Sequence, residues 1–284
     1  MRLRAMAKIN LGLDVLRKRE DGYHEVRMIM QTIQMYDLLD IRRKKEPGIS
    51  LSTNLPYIPT DERNLVYKAA KILMDEFQIT DGISMKLSKF IPVAAGMAGG
   101  SSDAAAAFVG VNRMFRLGLS EQDLMERAVQ VGADVPYCIM RGTALAEGIG
   151  EKLTRLAPMP FCHMVVAKPP INVSTKMVYD SLDSGAITKH PDIDGIIEAI
   201  NEGSVIKIAE RMGNVLEDVT IPLYPVIDKI KKDMISQGAY NAMMSGSGPT
   251  VFGIFPDEQT ALNCKEYLKR QGDARQVYIT ETFN

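Results

Sequence analysis

Cysteine and histidine are scarce in this chain of 284 residues, with three of each. Cys138, Cys162 and Cys264 lie far apart and form no C-x-x-C pair, which fits free thiols in a reducing compartment and, more plainly, small buried hydrophobes. His24, His163 and His190 show no metal-ligand spacing such as H-E-x-x-H, so no structural metal site is expected. A long apolar run is also missing. The most apolar stretch, Phe90 to Val111, is broken by Pro92, four glycines and Asp103, and falls short of the roughly 18 uninterrupted residues of a membrane span. The start M-R-L-R-A-M-A-K-I-N has no apolar core of a secretory signal, so no membrane partner and a cytoplasmic location are expected. Charge of one sign is lacking too: 34 basic against 35 acidic residues leave −1, which argues against nucleic acid as a partner. No glycine is followed by lysine, which excludes a Walker A loop, and G-x-G-x-x-G, H-R-D and D-F-G are absent as well. Oligomeric state stays open.

What is present suits a globular protein of two moderate domains, with 46% hydrophobic and 24% charged residues. Leu3 to Val15 is apolar at every odd position, the pattern of a half-buried strand. Arg4, Lys8, Asn10 and Asp14 then share the polar face, with Lys8 and Asn10 roughly 7 Å apart. Further strands are expected at 26–35, 38–42, 49–53 and 83–89. Asn64 caps a helix with the stripe Leu65, Ala69, Ile72, Leu73 and Phe77, a second helix starts at Ser101-Ser102-Asp103, and Ser120 opens a third that Gly132 ends. Strands follow at 143–146 and 163–167, and the proline-rich stretch 156–160 between them divides the chain into domains 1–157 and 158–284. Beyond it, helices opening at Ser174, Asp192 and Pro225, strands at 240–244 and 250–255, a helix over 257–270 stopped by Gly272 and a strand at 276–282 approach the order βαββαβ. That order is ferredoxin-like. The 18 methionines read as core filler.

The segment richest in chemistry runs from Pro92 through Val93, Ala94, Ala95, Gly96, Met97, Ala98, Gly99, Gly100 and Ser101 to Ser102, between an expected strand and an expected helix. Its glycines let the backbone turn tightly beside a ligand, and the following helix start favours an anion. An ordinary strand-to-helix turn with a serine cap is the competing explanation; the length and purity of the small-residue run favour phosphate. A second small-residue segment, Ser245-Gly246-Ser247-Gly248 followed by Pro-Thr, suits either a hairpin connection or a backbone nest for a substrate or nucleotide phosphate.

Three segments together, the strand with A-K-I-N-L, the loop P-x-x-x-G-x-x-G-G-S-S-D-A-A-A and the late S-G-S-G-P-T, resemble the galactokinase, homoserine kinase, mevalonate kinase and phosphomevalonate kinase superfamily. A-K-I-N-L-G-L-D-V with D-G-Y-H at 21–24 and G-A-D-V-P at 132–136 are similar to the branch that phosphorylates 4-diphosphocytidyl-2-C-methylerythritol in non-mevalonate isoprenoid synthesis. The resemblance implies an α+β, two-domain small-molecule kinase fold: an N-terminal α/β nucleotide domain with a left-handed βαβ unit, and a C-terminal ferredoxin-like domain. It implies ATP with Mg²⁺ and a cytidylyl diphosphate sugar alcohol as the small-molecule substrate.

The same resemblance assigns roles. Asp134 and Lys8 match the catalytic pair, a proton acceptor and a positive charge at the transferring phosphoryl. Read alone, Asp134 before Val135-Pro136 is better explained as an N-cap, and Lys8 on an edge strand as a solvated charge. Asn10 accompanies Lys8. Asn64 and Lys89 fall where the family contacts the nucleotide, and Ser102 is a metal ligand by analogy only. Tyr23 and His24 are expected against the cytidine base, with Tyr179 on its other face. The loop departs from the usual pattern at Met97 and Ala98, and Ala98 is tolerable unless that position requires positive φ.

Overall fold

The structure is a computed structural model that describes residues 1–185 and 187–284. In chain order the elements are β1 (Arg2–Lys18), β2 (His24–Lys44), β3 (Ile49–Thr53), α1 (Leu65–Glu76), β4 (Gly82–Ser88), α2 (Gly99–Phe115), α3 (Glu121–Ala128), α4 (Val135–Met140), β5 (Thr143–Gly148) and β6 (Lys152–Arg155). They continue as β7 (His163–Lys168), α5 (Thr175–Ser181), α6 (Ile193–Asn201), α7 (Val205–Arg211), β8 (Gly213–Asn214), α8 (Glu217–Leu223), α9 (Val226–Ser236), β9 (Asn241–Met244), β10 (Val251–Phe255), α10 (Glu258–Gln271) and β11 (Gln276–Glu281). The chain divides into two compact units: Met1–Ala7, Met35–Val93 and Ala98–Arg141 form the first, and Lys8–Gln34, Ala94–Met97 and Gly142–Asn284 the second. The expected cut after residue 157 falls inside the second unit.

In the first unit β3 and β4 run parallel, joined through α1 as a βαβ unit, and β4 pairs antiparallel with the second half of β2, Leu38 opposite Ser88. Asn64 caps α1 as expected, accepting from the Val66 amide at 2.9 Å. The buried stripe, however, is Val66, Ala69, Ala70, Leu73 and Met74, while Phe77 ends the helix partly exposed. Helix α2 is buried on nearly every side, which explains its alanines: Ala104 to Ala107 admit close neighbours, and at Gly110 a Cβ would stand 2.3 Å from Ile41 Cδ1. It begins at Gly99, two residues before the expected serines, because Ala98 in the left-handed region (φ 54°) turns the chain there. Ser120 opens α3 in a capping box with Asp123, but the helix closes at Ala128, before Gly132.

In the second unit β1 pairs in parallel with β8 at Gly12 and Leu13, β2 pairs with β5, and β5 with β6. A separate antiparallel sheet has the order β11-β7-β10-β9, the arrangement a ferredoxin-like βαββαβ chain requires. Ser174, Asp192 and Pro225 open α5, α6 and α9, and Gly272 (φ 78°) ends α10. Strand β1 is neither an edge strand nor half-buried. Its neighbours are β2 and β8, and its polar face is roofed where Ile193 and Ile196 of α6 lie over Gly12, so close that a Cβ there would meet them at 2.7 and 2.8 Å. Lys8, Asn10 and Asp14 on the same face are buried. The two strands expected at 26–35 and 38–42 are the single long β2. Helices α4, α7 and α8 and strand β6 escape a periodicity argument because they span only four to seven residues, α8 also containing Pro222.

Candidate active site

The second unit gathers Lys8, Asn10, His24, Tyr179, Ser245–Gly248 and the loop segment Ala94–Met97. Alternation along β1 puts Lys8 and Asn10 on one face, where the Lys8 ammonium donates to Asn10 Oδ1 at 2.8 Å and Asn10 Nδ2 reaches Met28 Sδ at 3.2 Å. The Lys8 amide donates to the Met97 carbonyl at 3.2 Å, so the strand that carries the ammonium also holds the loop segment. Gly96 (φ 72°) lies against the Ser245 carbonyl, where a Cβ would stand only 2.1 Å away, and Ser245 Oγ donates to the Gly96 carbonyl at 3.0 Å. The two glycine segments are thus in direct contact. Asn214 Nδ2 donates to the carbonyls of Met244 and Gly246 at 2.9 and 2.8 Å, and Ser247 Oγ meets Thr175 Oγ1 at the start of α5 at 2.8 Å.

Helix α5 carries Tyr179, whose ring centroid lies 5.3 Å from that of His24. His24 is the first residue of β2 rather than part of the turn, and is buried, whereas Tyr23 is 60% exposed on a turn that Asp21 closes by accepting from the Tyr23 amide. Burial first, and the nearby Lys18 second, hold the His24 imidazole below its ordinary pKa of 6.5, which keeps it neutral at pH 7. A neutral imidazole offers one donor and one acceptor. Its Nε2 is buried without a hydrogen-bond partner.

The first unit holds Asn64, Lys89, Pro92, Val93, Ala98–Ser102 and Asp134. The amides of Gly99, Gly100 and Ser101 open α2 and have no acceptor within it, as every helix start dictates. Neither Ser101 nor Ser102 caps the helix. Ser102 is buried and gives its hydroxyl to the Met6 carbonyl, with Cys138 Sγ at 3.2 Å, which removes it from the solvent-facing loop. Asn64 uses both ends of its side chain locally, accepting from Val66 and donating to the Pro59 carbonyl at 2.7 Å. Asp134 stands at the N-cap position of α4, where its carboxyl makes no capping hydrogen bond.

Lys89 is not a surface charge. Its ammonium is buried between Asp37 and Asp103. Burial alone would lower its pKa, yet the two carboxyls outweigh that and raise it, so the lysine stays charged. The Asp103 carboxyl is pushed well above its ordinary range by burial, with Lys89 opposing and Asp37 adding to the rise. Asp37 was not singled out by the sequence; the available signal was an acid inside the apolar run of β2.

The chain matches the GHMP kinases N terminal domain over residues 64–142 and the GHMP kinases C terminal domain over 189–274. It is 63% identical to the 4-diphosphocytidyl-2-C-methyl-D-erythritol kinase of Lachnospira eligens, covering 100% of this chain and 98% of that one. It is 52% identical to the enzyme of the same name from Lachnoclostridium phytofermentans, over 99% and 97%. A crystal structure of a 4-(cytidine 5'-diphospho)-2C-methyl-D-erythritol kinase superposes with a TM-score of 0.86 at 30% identity, covering 100% of both chains.

Proposed function

The chain belongs to the 4-diphosphocytidyl-2-C-methyl-D-erythritol kinases, a family of the GHMP kinases, and on that premise we propose how its residues divide the work. It is an ATP-dependent kinase with an alcohol acceptor. The γ-phosphoryl group of ATP passes to the hydroxyl on carbon 2 of the methylerythritol unit: a new O–P bond forms, the bond to the β-phosphate oxygen breaks, and ADP leaves. The Asp134 carboxylate takes the hydroxyl proton as the oxygen attacks. The Lys8 ammonium, oriented by Asn10, meets the charge on the transferring phosphoryl oxygens. The amides of residues 94–101 take the phosphates of ATP, with Asn64 at the nucleotide, Lys89 behind the loop on Asp37 and Asp103 rather than in contact with the nucleotide, and Ser245–Gly248 at a phosphate of the acceptor.

ATP brings Mg²⁺, which neutralises charge on the β- and γ-phosphates. Ser102 is committed to Met6 and Asp103 Oδ2 to Lys89, a donor set that suits an ion held mainly by phosphate oxygens and water. The acceptor reading is carried by one observation: His24, neutral and with Nε2 unpartnered, lies against Tyr179 in the unit that holds Lys8. Together they present a hydrogen-bonding edge and aromatic faces to a cytosine ring, with Tyr23 covering it from the turn. No described helix is long and apolar enough to cross a membrane. A coupled ADP assay with Mg-ATP tests the assignment. ADP should form with diphosphocytidyl-methylerythritol, and faster turnover of homoserine, mevalonate or galactose would overturn it.

A further inference from the structure

We propose that Asp37 is a positioning residue for ATP: with Lys89 and Asp103 it clamps both ends of the strand-to-helix loop, Pro92–Ser102, in the form that receives the nucleotide. The inference rests on reading that loop as the phosphate loop. Asp37 Oδ1 accepts from the amides of Phe90 and Ile91, the last residues before Pro92, and Oδ2 accepts from the Lys89 ammonium. The same ammonium donates at 2.6 Å to Oδ2 of Asp103, the first residue after Ser102. One strand residue therefore fixes the entry of the loop directly and its exit through a single lysine. Asn54 fastens the lysine's own backbone, accepting from the Lys89 amide at 2.8 Å and donating to its carbonyl at 3.1 Å.

Stability alone does not explain such a cluster, because three buried ionisable groups are commonly replaceable by apolar residues without loss. The position of the charge is also unfavourable in isolation. A Cβ on Gly99 would stand 3.2 Å from Lys89 Nζ, so a cation sits beside the positive end of α2 and needs the two carboxyls to be tolerated. What the cluster supplies is geometry: directional bonds to Phe90, Ile91 and Asp103 set where the loop leaves β4 and where α2 begins. Binding sites lose on the order of a hundredfold when such supports shift by about an ångström.

The test separates support from mere stability. Lys89→Met should weaken nucleotide binding roughly tenfold to a hundredfold, read both as KM for ATP and as the Kd of an unhydrolysed ATP analogue, with KM for the acceptor within about twofold of wild type. Lys89→Arg should recover part of that affinity. The triple variant Lys89→Met, Asp37→Asn, Asp103→Asn removes every charge together, and should regain thermal stability over Lys89→Met while ATP binding stays weak. If the triple variant binds the analogue as wild type does, or if Lys89→Met lowers stability without changing Kd, the cluster is only structural and the proposal falls. The acceptor assignment is judged apart from this, since its failure would appear as wild-type protein that binds the analogue but transfers no phosphoryl group.

Discussion

The loop that ends in α2 is fixed at both ends by buried charge, with Lys89 between Asp37 and Asp103, whereas the Ser245–Thr250 segment is fixed by neutral groups: the Asn214 amide, the Ser245 and Ser247 hydroxyls and backbone contact with Gly96. Neutral hydrogen bonds of this kind contribute about 1 kcal/mol each, and their loss is graded. A buried ion deprived of one partner costs about 3 to 5 kcal/mol, so the charged support works nearly as a unit. The first unit thus carries its loop on an arrangement that is all or nothing, and the second on one that can be weakened bond by bond.

The largest expected effects come from the two residues proposed for the chemistry. Asp134→Asn in the first unit should lower kcat by roughly 10²- to 10⁴-fold with the fold retained, the usual worth of a positioned proton acceptor. Lys8→Met in the second should lower kcat by about 10²-fold or more through lost charge stabilisation. Steady-state kinetics on variants checked by circular dichroism decide this; normal kcat in either variant would remove that residue from the chemistry.

Gly96→Ala comes next. The new methyl would stand 2.1 Å from the Ser245 carbonyl on a backbone with φ 72°, so the junction must open. A loss of about 2 to 4 kcal/mol in urea unfolding is expected, together with a rise in KM for both substrates. Asn214→Ala should cost about 1 to 3 kcal/mol, since it orphans the Met244 and Gly246 carbonyls, and should raise KM for the acceptor more than for ATP. The smallest effect has the opposite sign. Ala98 sits at φ 54°, where a Cβ costs about 1 kcal/mol, and Ala98→Gly should raise the melting temperature by a few degrees at most.

Much of this was legible locally. Asn64, Ser120, Ser174, Asp192 and Asp257 each announce a helix start because capping is settled within three or four residues, and β3 and Gly272 are equally local. The βαββαβ order emerged because its strands and helices follow one another in the chain. What escaped was set at long range. The cover over the polar face of β1 at Gly12 comes from α6, more than 180 residues later, and the fate of Lys89 depends on Asp37 and Asp103, which no spacing connects to it. The early start of α2 depends on the left-handed backbone of Ala98, a conformation its residue type does not advertise. Family resemblance named Lys8, His24 and Asp134, but it carried no sign of the Asp37 clamp.

The central claim is that the second unit reads the acceptor through its base, by His24 and Tyr179, independently of how the first unit's loop receives ATP. Measuring both KM values for His24→Ala, with CDP as an inhibitor, tests it most directly. The account predicts a rise of roughly tenfold or more in KM for the acceptor, since an unmatched buried edge costs about 1 to 3 kcal/mol, with inhibition by CDP weakened in step and KM for ATP nearly unchanged. A rise confined to ATP, with inhibition by CDP intact, would contradict it.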